Sequence, residues 1–355
     1  MNLKQFLISA VQSILFWTIA FILFTVFRYY GFNEEEYQVI IANNEIPIFQ
    51  WFDVPIYIGV FVGFSYALIE LLFNRFITNK VSIGVTLILK NTLYLLILIV
   101  LSPNIFFYVE ELMDINLVDD WRLSKVFRIT VLYFFICSLI FSFIKIANEK
   151  FGRGVFLKML IGKYRNPQEE KRIFMFLDLK NSTSIAEQLG HFKYSQFIQD
   201  CFLDLNKIIN KFNAEVYQYV GDEAVLSWKY KVGVDKNKCI EVFFSFKEQL
   251  QKRNHYYQKK YNTIPKFKAG LHGGKLMVAE VGTIKKELAF HGDVINTTAR
   301  IQAECNRYSE ELLISDKLLK NIQLKEKYIL KLLGETQLKG KQNTVVIHSI
   351  NNKRT

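Results

Sequence analysis

A chain of 355 residues has room for two domains. Its four cysteines, Cys137, Cys201, Cys239 and Cys305, form no CxxC pair, which excludes a disulfide frame or a zinc ribbon and reads as reduced thiols. Charge is unevenly spread: residues 1–147 hold 9 Lys+Arg against 11 Asp+Glu, a net −2, whereas residues 148–355 hold 36 against 22, a net +14. The basic part suits an anionic partner, whether a nucleotide, a nucleic acid or an anionic membrane face, or is simply a basic soluble surface.

Four apolar stretches open the chain: Phe6–Phe27, Val54–Phe73, Ile83–Leu101 and Phe127–Ile146. Each is close to the ~20 residues a helix needs to cross ~30 Å of hydrocarbon. Four of them before residue 148 predict a four-span membrane domain over 1–147, in contact with lipid, rather than buried helices of a soluble fold. The first lacks a small-residue cleavage site, so no cleavable signal peptide is expected. Loop charges give the orientation. Glu34, Glu35 and Glu36 follow span one, and Glu110, Glu111, Asp114, Asp119 and Asp120 follow span three. Arg75 and Lys80 follow span two; Lys150, Arg153, Lys158, Lys163 and Arg165 follow span four. Because basic loops stay inside, both termini are expected in the cytoplasm and the protein in the cell (inner) membrane. Lys90 lies within span three, where a charge is costly and points to function. It is also near the cytoplasmic end, and snorkelling to that face is the expected solution.

Residues 148–170 read as a connector, with Phe151, Val155, Phe156, Met159 and Leu160 at roughly helical spacing. Strands and helices then alternate. Arg172–Asp178 reads as a buried strand, and Thr183–Phe212 as one or two helices broken at Gly190. Glu215–Val220 and Ala224–Trp228 flank a Gly221-Asp222 turn, a hairpin signal. Cys239–Tyr261 is expected to be helical. Lys266–His272 and Leu276–Val281 read as two strands around Gly273-Gly274, Asn296–Cys305 as a helix, and Val345–Ser349 as a last strand. This is an α+β pattern around an antiparallel or mixed sheet.

Three segments carry candidate chemistry. Asp178 ends an apolar strand and precedes a helix start, whose free N–H groups suit a phosphate. Asp222 sits in a tight turn. Two aspartates at strand ends can hold Mg2+ or Mn2+ through hard oxygen ligands, although each alone also reads as a cap or turn residue. Asn296 and Arg300 are four apart and share a helix face. An Arg with a neutral amide there suits a phosphate, and alone it also reads as a surface Arg and a capping Asn.

Taken in order, "FLDLKNST", "VYQYVGDEAVLSW", "KAGLHGGKLMVAEVG", "FHGDVINTTARIQ" and "LKGKQNTVVIHSI" resemble the class III nucleotidyl (adenylate/guanylate) cyclases over about residues 171–350, here in a membrane-bound bacterial form. The resemblance implies a ferredoxin-like core, an antiparallel sheet with flanking helices. It implies two metal ions, Mg2+ or Mn2+, on Asp178, Asp222 and the Leu179 carbonyl. It places the triphosphate on the amides of Asn181, Ser182 and Thr183 and its terminal phosphates on Lys339. Asn296 would position the ribose and Arg300 would stabilise charge on the α-phosphate. The implied reaction is attack of the ribose 3′-oxygen on the α-phosphorus with release of pyrophosphate. Metal aspartates and the Asn/Arg pair come from opposite subunits in the family, so a head-to-tail homodimer is implied. The substrate is a nucleoside triphosphate, and no nucleic-acid partner is expected.

One departure concerns the base. The family marks ATP with a Lys and an Asp and GTP with a Glu and a Cys; the matching positions here are Gln218 and Ala289. Gln218 can donate and accept, and ATP is the preferred reading, with guanylate or pyrimidine cyclases as alternatives. Other readings fit less well. A diguanylate-cyclase-type enzyme has no place for the Asn296/Arg300 helix. A non-catalytic nucleotide-binding receptor should have lost a metal ligand or Arg300. A transporter or channel with a basic tail has only one intramembrane charge in its favour.

Overall fold

The computed structural model describes residues 3–29, 48–76, 81–113, 125–152, 155–339 and 343–353, in two compact units, Met1–Lys150 and Phe151–Thr355.

The first unit consists, among the described residues, of four long helices: α1 (Leu3–Tyr29), α2 (Ile48–Phe76), α3 (Ile83–Met113) and α4 (Lys125–Phe151). Three contain stretches long and apolar enough to cross a membrane: Phe6–Phe27, Pro55–Phe73 and Phe127–Asn148. In α3 the apolar stretch is shorter, Gly84–Ile97, so the described residues bear out three of the four expected spans. Leu7, Val11, Leu15 and Ile19 on α1 and Ile129, Leu132 and Ile136 on α4 are exposed, which gives these helices an apolar outer face. Inside, Trp17, Tyr66, Tyr94, Phe134 and Phe141 form an aromatic core, with the Tyr66 and Tyr94 rings stacked 3.6 Å apart. Small residues bring α1 and α2 together, since a Cβ at Gly59 or Gly63 would run into the backbone at Thr18 or Ile14.

Lys90 does not snorkel. Its Nζ lies 3.0 Å from Oε1 of Glu70 on α2, with both side chains largely buried and the ammonium 5.8 Å from the Phe73 ring centre. A neutralising partner inside the bundle costs less than an unpaired charge, and reaching for the interface is then unnecessary. The neighbouring Asn91 bonds to Ser138 and Ser142 on α4. The loop charges at 34–36, 80, 114–120 and 153 lie outside the described residues.

The second unit opens with a short helix, α5 (Val155–Leu160), and is built on eight strands. In chain order these are β1 (Gln168–Leu179), α6 (Ser182–Ile209), β2 (Glu215–Val220), β3 (Glu223–Lys229), α7 (Tyr230–Val234), α8 (Lys238–Lys252), α9 (Asn254–Tyr261), β4 (Phe267–Val281), β5 (Glu287–His291), α10 (Asp293–Ala303), α11 (Cys305–Tyr308), β6 (Leu312–Ser315), α12 (Asp316–Leu319), β7 (Tyr328–Thr336) and β8 (Val345–Asn352). The sheet runs β2-β3-β1-β4-β6-β8-β7, with β5 paired to β4. The first four are antiparallel and, with α6 and α8, form the expected ferredoxin-like unit. β6 adds parallel to β4, so the whole sheet is mixed rather than antiparallel.

β1 is central because it is buried on both faces. Ile173, Met175, Leu177 and Leu179 pack under α6, α8 and α9, while Phe174 joins Val225, Val278, Phe290 and Val294 on the other face. Gly190 breaks α6 as its φ of 69° requires. Cys239–Tyr261 divides into α8 and α9. The Gly273-Gly274 pair does not separate two strands: β4 runs through it for 15 residues, held by unbroken pairing to β1. β5, β6 and β7 had no sequence expectation, being short or weakly alternating.

Candidate active site

The site gathers where β1 ends, at the tip of the β2–β3 hairpin. Asp178 is level with Glu223 on β3 and Lys268 on β4. Asp222 precedes Glu223 in the turn, where Gly221 takes φ 60° and lets the hairpin close in one step. Three carboxylates are thereby brought together. The consequence is visible at Glu223: burial first, then the charges of Asp178 and Asp222, push its carboxyl up to about 7 against the pull of Lys268. Asp222 Oδ2 is buried without a hydrogen-bond partner. Asp178 Oδ2 accepts from Gln302 Nε2 at 2.9 Å and lies 3.2 Å from Lys268 Nζ.

The next turn of chain leads into the start of α6. Leu179 closes β1 and is buried. Asn181 adopts the left-handed region (φ 57°, ψ 33°), which Asn tolerates better than most residues. It swings the chain into α6, whose first residues Ser182 and Thr183 have no preceding turn to take their N–H groups.

Asn296 and Arg300 lie together on α10, as expected, but on its outer face. The inner face is Val294, Thr297, Thr298, Ile301 and Gln302, all buried against the sheet. At about 100° per residue, Asn296 and Arg300 point roughly opposite to that face. Neither side chain has a hydrogen bond or ion pair among the described residues. The helix lies close on β4 because Gly270 and Gly274 carry no side chain: a Cβ at Gly270 would be 2.7 Å from Gln302 Cα, and one at Gly274 2.8 Å from Val294 Cγ2.

The two base positions sit on strands that are not neighbours in the sheet, β2 and β5. The residues beside them do meet across the sheet, the Tyr217 ring lying 4.8 Å from that of Phe290. Gln218 follows Tyr217 and is exposed; Ala289 precedes Phe290 and is half-buried opposite Ala279. Arg172 lies beneath them, 5.0 Å from the Phe290 ring and paired with Glu170 at 2.8 Å and Glu215 at 2.7 Å. Lys339 is exposed in the segment after β7, and no contact in the described residues brings it to the aspartates.

Over residues 165–352 the sequence matches the family described as Adenylate and Guanylate cyclase catalytic domain, which is more than half of the chain. The chain belongs to this family. "Adenylate cyclase 2" of Rhizobium meliloti (strain 1021) is 35% identical over 208 residues, 59% of this chain and 57% of that protein. "Adenylate cyclase" of Anabaena cylindrica is 22% identical over 182 residues, 50% of this chain and 36% of that one. The chain thus spans about half, or less, of the length of these relatives. A solved bacterial light-regulated adenylyl cyclase shares the fold, with a TM-score of 0.54 over 65% of this chain and 67% of that one, at 19% identity.

For a cyclase domain the donor set is fit for a hard cation. Among the described residues no three His, Cys, Asp or Glu side chains form a ready-made cage. Mg2+ does not need one: it is commonly held by one or two carboxylates, with waters and substrate phosphates completing the shell. The partnerless Asp222 oxygen and the mutual repulsion felt by Glu223 are what a bound cation would relieve. Sequence reasoning missed three residues here: Glu223, Lys268 and Gln302. Glu223 follows Asp222 directly, and Gln302 shares a helix with Arg300. Lys268 was hidden because only the β1–β4 register brings it to Asp178.

Proposed function

We propose that the protein is a membrane-anchored adenylate cyclase that converts ATP to 3′,5′-cyclic AMP and pyrophosphate at sites shared between two copies of the chain. The observation that carries this reading is the disposition of α10. Its inner face touches Asp178 through Gln302, while Asn296 and Arg300 face outward without partners. A single chain therefore holds two half-sites, and a head-to-tail pair of chains makes both whole.

The roles follow from the chemistry of each group. Asp178, Asp222 and the Leu179 carbonyl would hold Mg2+ or Mn2+. When bound, two such ions lower the pKa of the attacking hydroxyl and screen the leaving group. The Asn181–Thr183 turn presents backbone amides to the triphosphate, a preformed anion site at a helix start. Asn296 of one chain orients the ribose so that O3′ is in line with the α-phosphorus. Arg300 donates to the α-phosphate oxygens as charge builds there, a contact that strengthens towards the transition state. Lys339 neutralises the departing pyrophosphate. Most of the rate enhancement is thus positioning and electrostatics.

Adenine is the proposed base. Gln218 can accept from the exocyclic amine and donate to a ring nitrogen, whereas a carboxylate suited to the guanine edge is absent. Ala289 leaves its side of the pocket apolar, so selectivity should be modest. The three apolar helices support a membrane anchor. We further propose a fourth span along α3, with the cyclase domain on the cytoplasmic side.

The test is product analysis by mass spectrometry after parallel incubation of the full-length protein in membranes with ATP, GTP, CTP and UTP. Cyclic AMP should dominate. A ten-fold or greater preference for another nucleotide, roughly 1.4 kcal/mol in transition-state binding, refutes the base assignment, and no cyclic product from any of them refutes the enzyme. Gln218→Lys with Ala289→Asp should sharpen adenine selectivity.

A further inference from the structure

Asp178 is not held by its own strand alone. Its Oδ2 accepts from Gln302 Nε2 at 2.9 Å and lies 3.2 Å from Lys268 Nζ, which itself donates to Asn306 Oδ1 at 3.1 Å. Gln302 is only 7% exposed. Its place is fixed from behind, because its backbone sits where any side chain at position 270 would have to be. Among the described residues nothing takes the other oxygen, Oδ1, and Asp222 Oδ2 has no partner either. Each aspartate thus keeps one oxygen for a cation, and Gln302 is one of two groups that fix the orientation of the first.

We propose that Gln302 is a positioning residue for the metal-binding carboxylate of its own chain. One helix then serves two sites: the inner face of α10 orients Asp178 in cis, and the outer face presents Asn296 and Arg300 to the partner. This rests on the shared-site reading above for the second half of the statement only. The residue type fits the task. A neutral amide donates one hydrogen bond and leaves the carboxylate its charge, so the cation is not displaced. A second cation beside Lys268 would compete with the metal, and a Glu would place a second negative charge against Asp178. Outer-shell partners of this kind typically change metal affinity about 10–100-fold when removed.

The alternative is that Gln302 only packs α10 against β4, and two measurements separate the readings. In the first, Mn2+ is titrated into full-length, detergent-solubilised protein and free Mn2+ is followed by electron paramagnetic resonance, with Asp222→Ala defining the site-specific part. Gln302→Met keeps the volume and loses the donor; Gln302→Leu repeats the change with a second shape, and metal-free melting curves confirm folding. The expected result is a 10–100-fold weaker Mn2+ affinity in both variants. Unchanged affinity overturns the proposal.

The second measurement uses mixed dimers. A chain with Arg300→Ala keeps its metal carboxylates, a chain with Asp178→Ala keeps its Arg300, and together they leave one complete site. Gln302→Met in the Arg300→Ala chain should raise the Mn2+ concentration needed for half-maximal activity at least ten-fold. In the Asp178→Ala chain, where Gln302 has no carboxylate to hold, the same change should shift it less than two-fold. Equal shifts in the two arms mean that Gln302 merely holds the helix, and overturn the proposal. If the unmodified pair forms dimers without activity, the shared-site reading fails, and the resonance titration still decides the role of Gln302.

Discussion

Gly270→Ala is a one-methyl change with a calculable result. The added Cβ would lie 2.7 Å from Gln302 Cα and closer still to its backbone nitrogen, on a helix that cannot yield at that point except by moving as a body. Ordinary van der Waals contact is ~3.5–4.0 Å, so α10 must retreat from β4 by roughly 1 Å. Overpacking of this kind costs about 1–3 kcal/mol of stability, which leaves a domain of this size folded. The catalytic cost should be larger in proportion. A displacement of ~1 Å in a positioning element can lower turnover about 100-fold, and it would carry Asn296, Arg300 and Gln302 with it. Since Arg300 acts on charge that develops in the transition state, kcat should fall while the KM for ATP changes little. Steady-state kinetics in membranes at saturating Mn2+, with thermal unfolding as the control, measure this. A Gly270→Ala protein within two-fold of the unmodified kcat would refute the claim that close seating of α10 on β4 sets the site.

Asp178→Ala and Asp222→Ala should each abolish cyclase activity in a domain that stays folded; Asp222→Ala should leave the melting temperature nearly unchanged or raised, whereas Asp178→Ala should lower it because the buried Lys268 ammonium loses its carboxylate; turnover near the unmodified level with Mn2+ would contradict metal ligation. Asp204 on α6 is fully buried and accepts from Lys207 at 2.9 Å, Gln249 at 3.1 Å, and Arg253 and Tyr257 at 2.7 Å. Burial alone would raise its pKa, but these donors hold it below the ordinary 3.8. Its contribution is therefore present above pH 4 and is lost as pH falls through the folded value. Asp204→Asn should cost about 3 kcal/mol at pH 7 and flatten the acid limb of the stability curve, and an acid limb unchanged by the substitution would contradict this. Cysteine-accessibility labelling in intact cells should modify a Cys placed at Glu35 or Asp119 but not one at Lys80; the reverse pattern overturns the topology. Lys90→Met should destabilise the helical unit more than Lys90→Met combined with Glu70→Gln, because the single change takes the ammonium from a buried carboxylate; equal losses would mean the pair does not interact.

Local signals in the chain were enough for three of the four expected apolar spans, the central buried strand, the β2–β3 hairpin and the Asn296/Arg300 helix. Each of these depends on apolar run length, hydrophobic period, turn residues or side-chain spacing, which are properties of about two dozen consecutive residues or fewer. The order of five motifs was enough for the family. What the sequence could not contain was register. Lys268 and Glu223 reach Asp178 only because β1 is paired on both sides in one alignment. Glu70 meets Lys90 only because α2 and α3 pack side by side, and that pairing removes the need to snorkel. The Gly273-Gly274 pair looked like a break, since glycine favours turns, yet unbroken pairing to β1 from Phe267 to Val278 overrides that local preference. Tertiary structure also decided which way α10 faces. Spacing puts Asn296 and Arg300 on one side of a helix, but only its seating on β4 shows that this side is turned outward, while Gln302 on the opposite side touches Asp178.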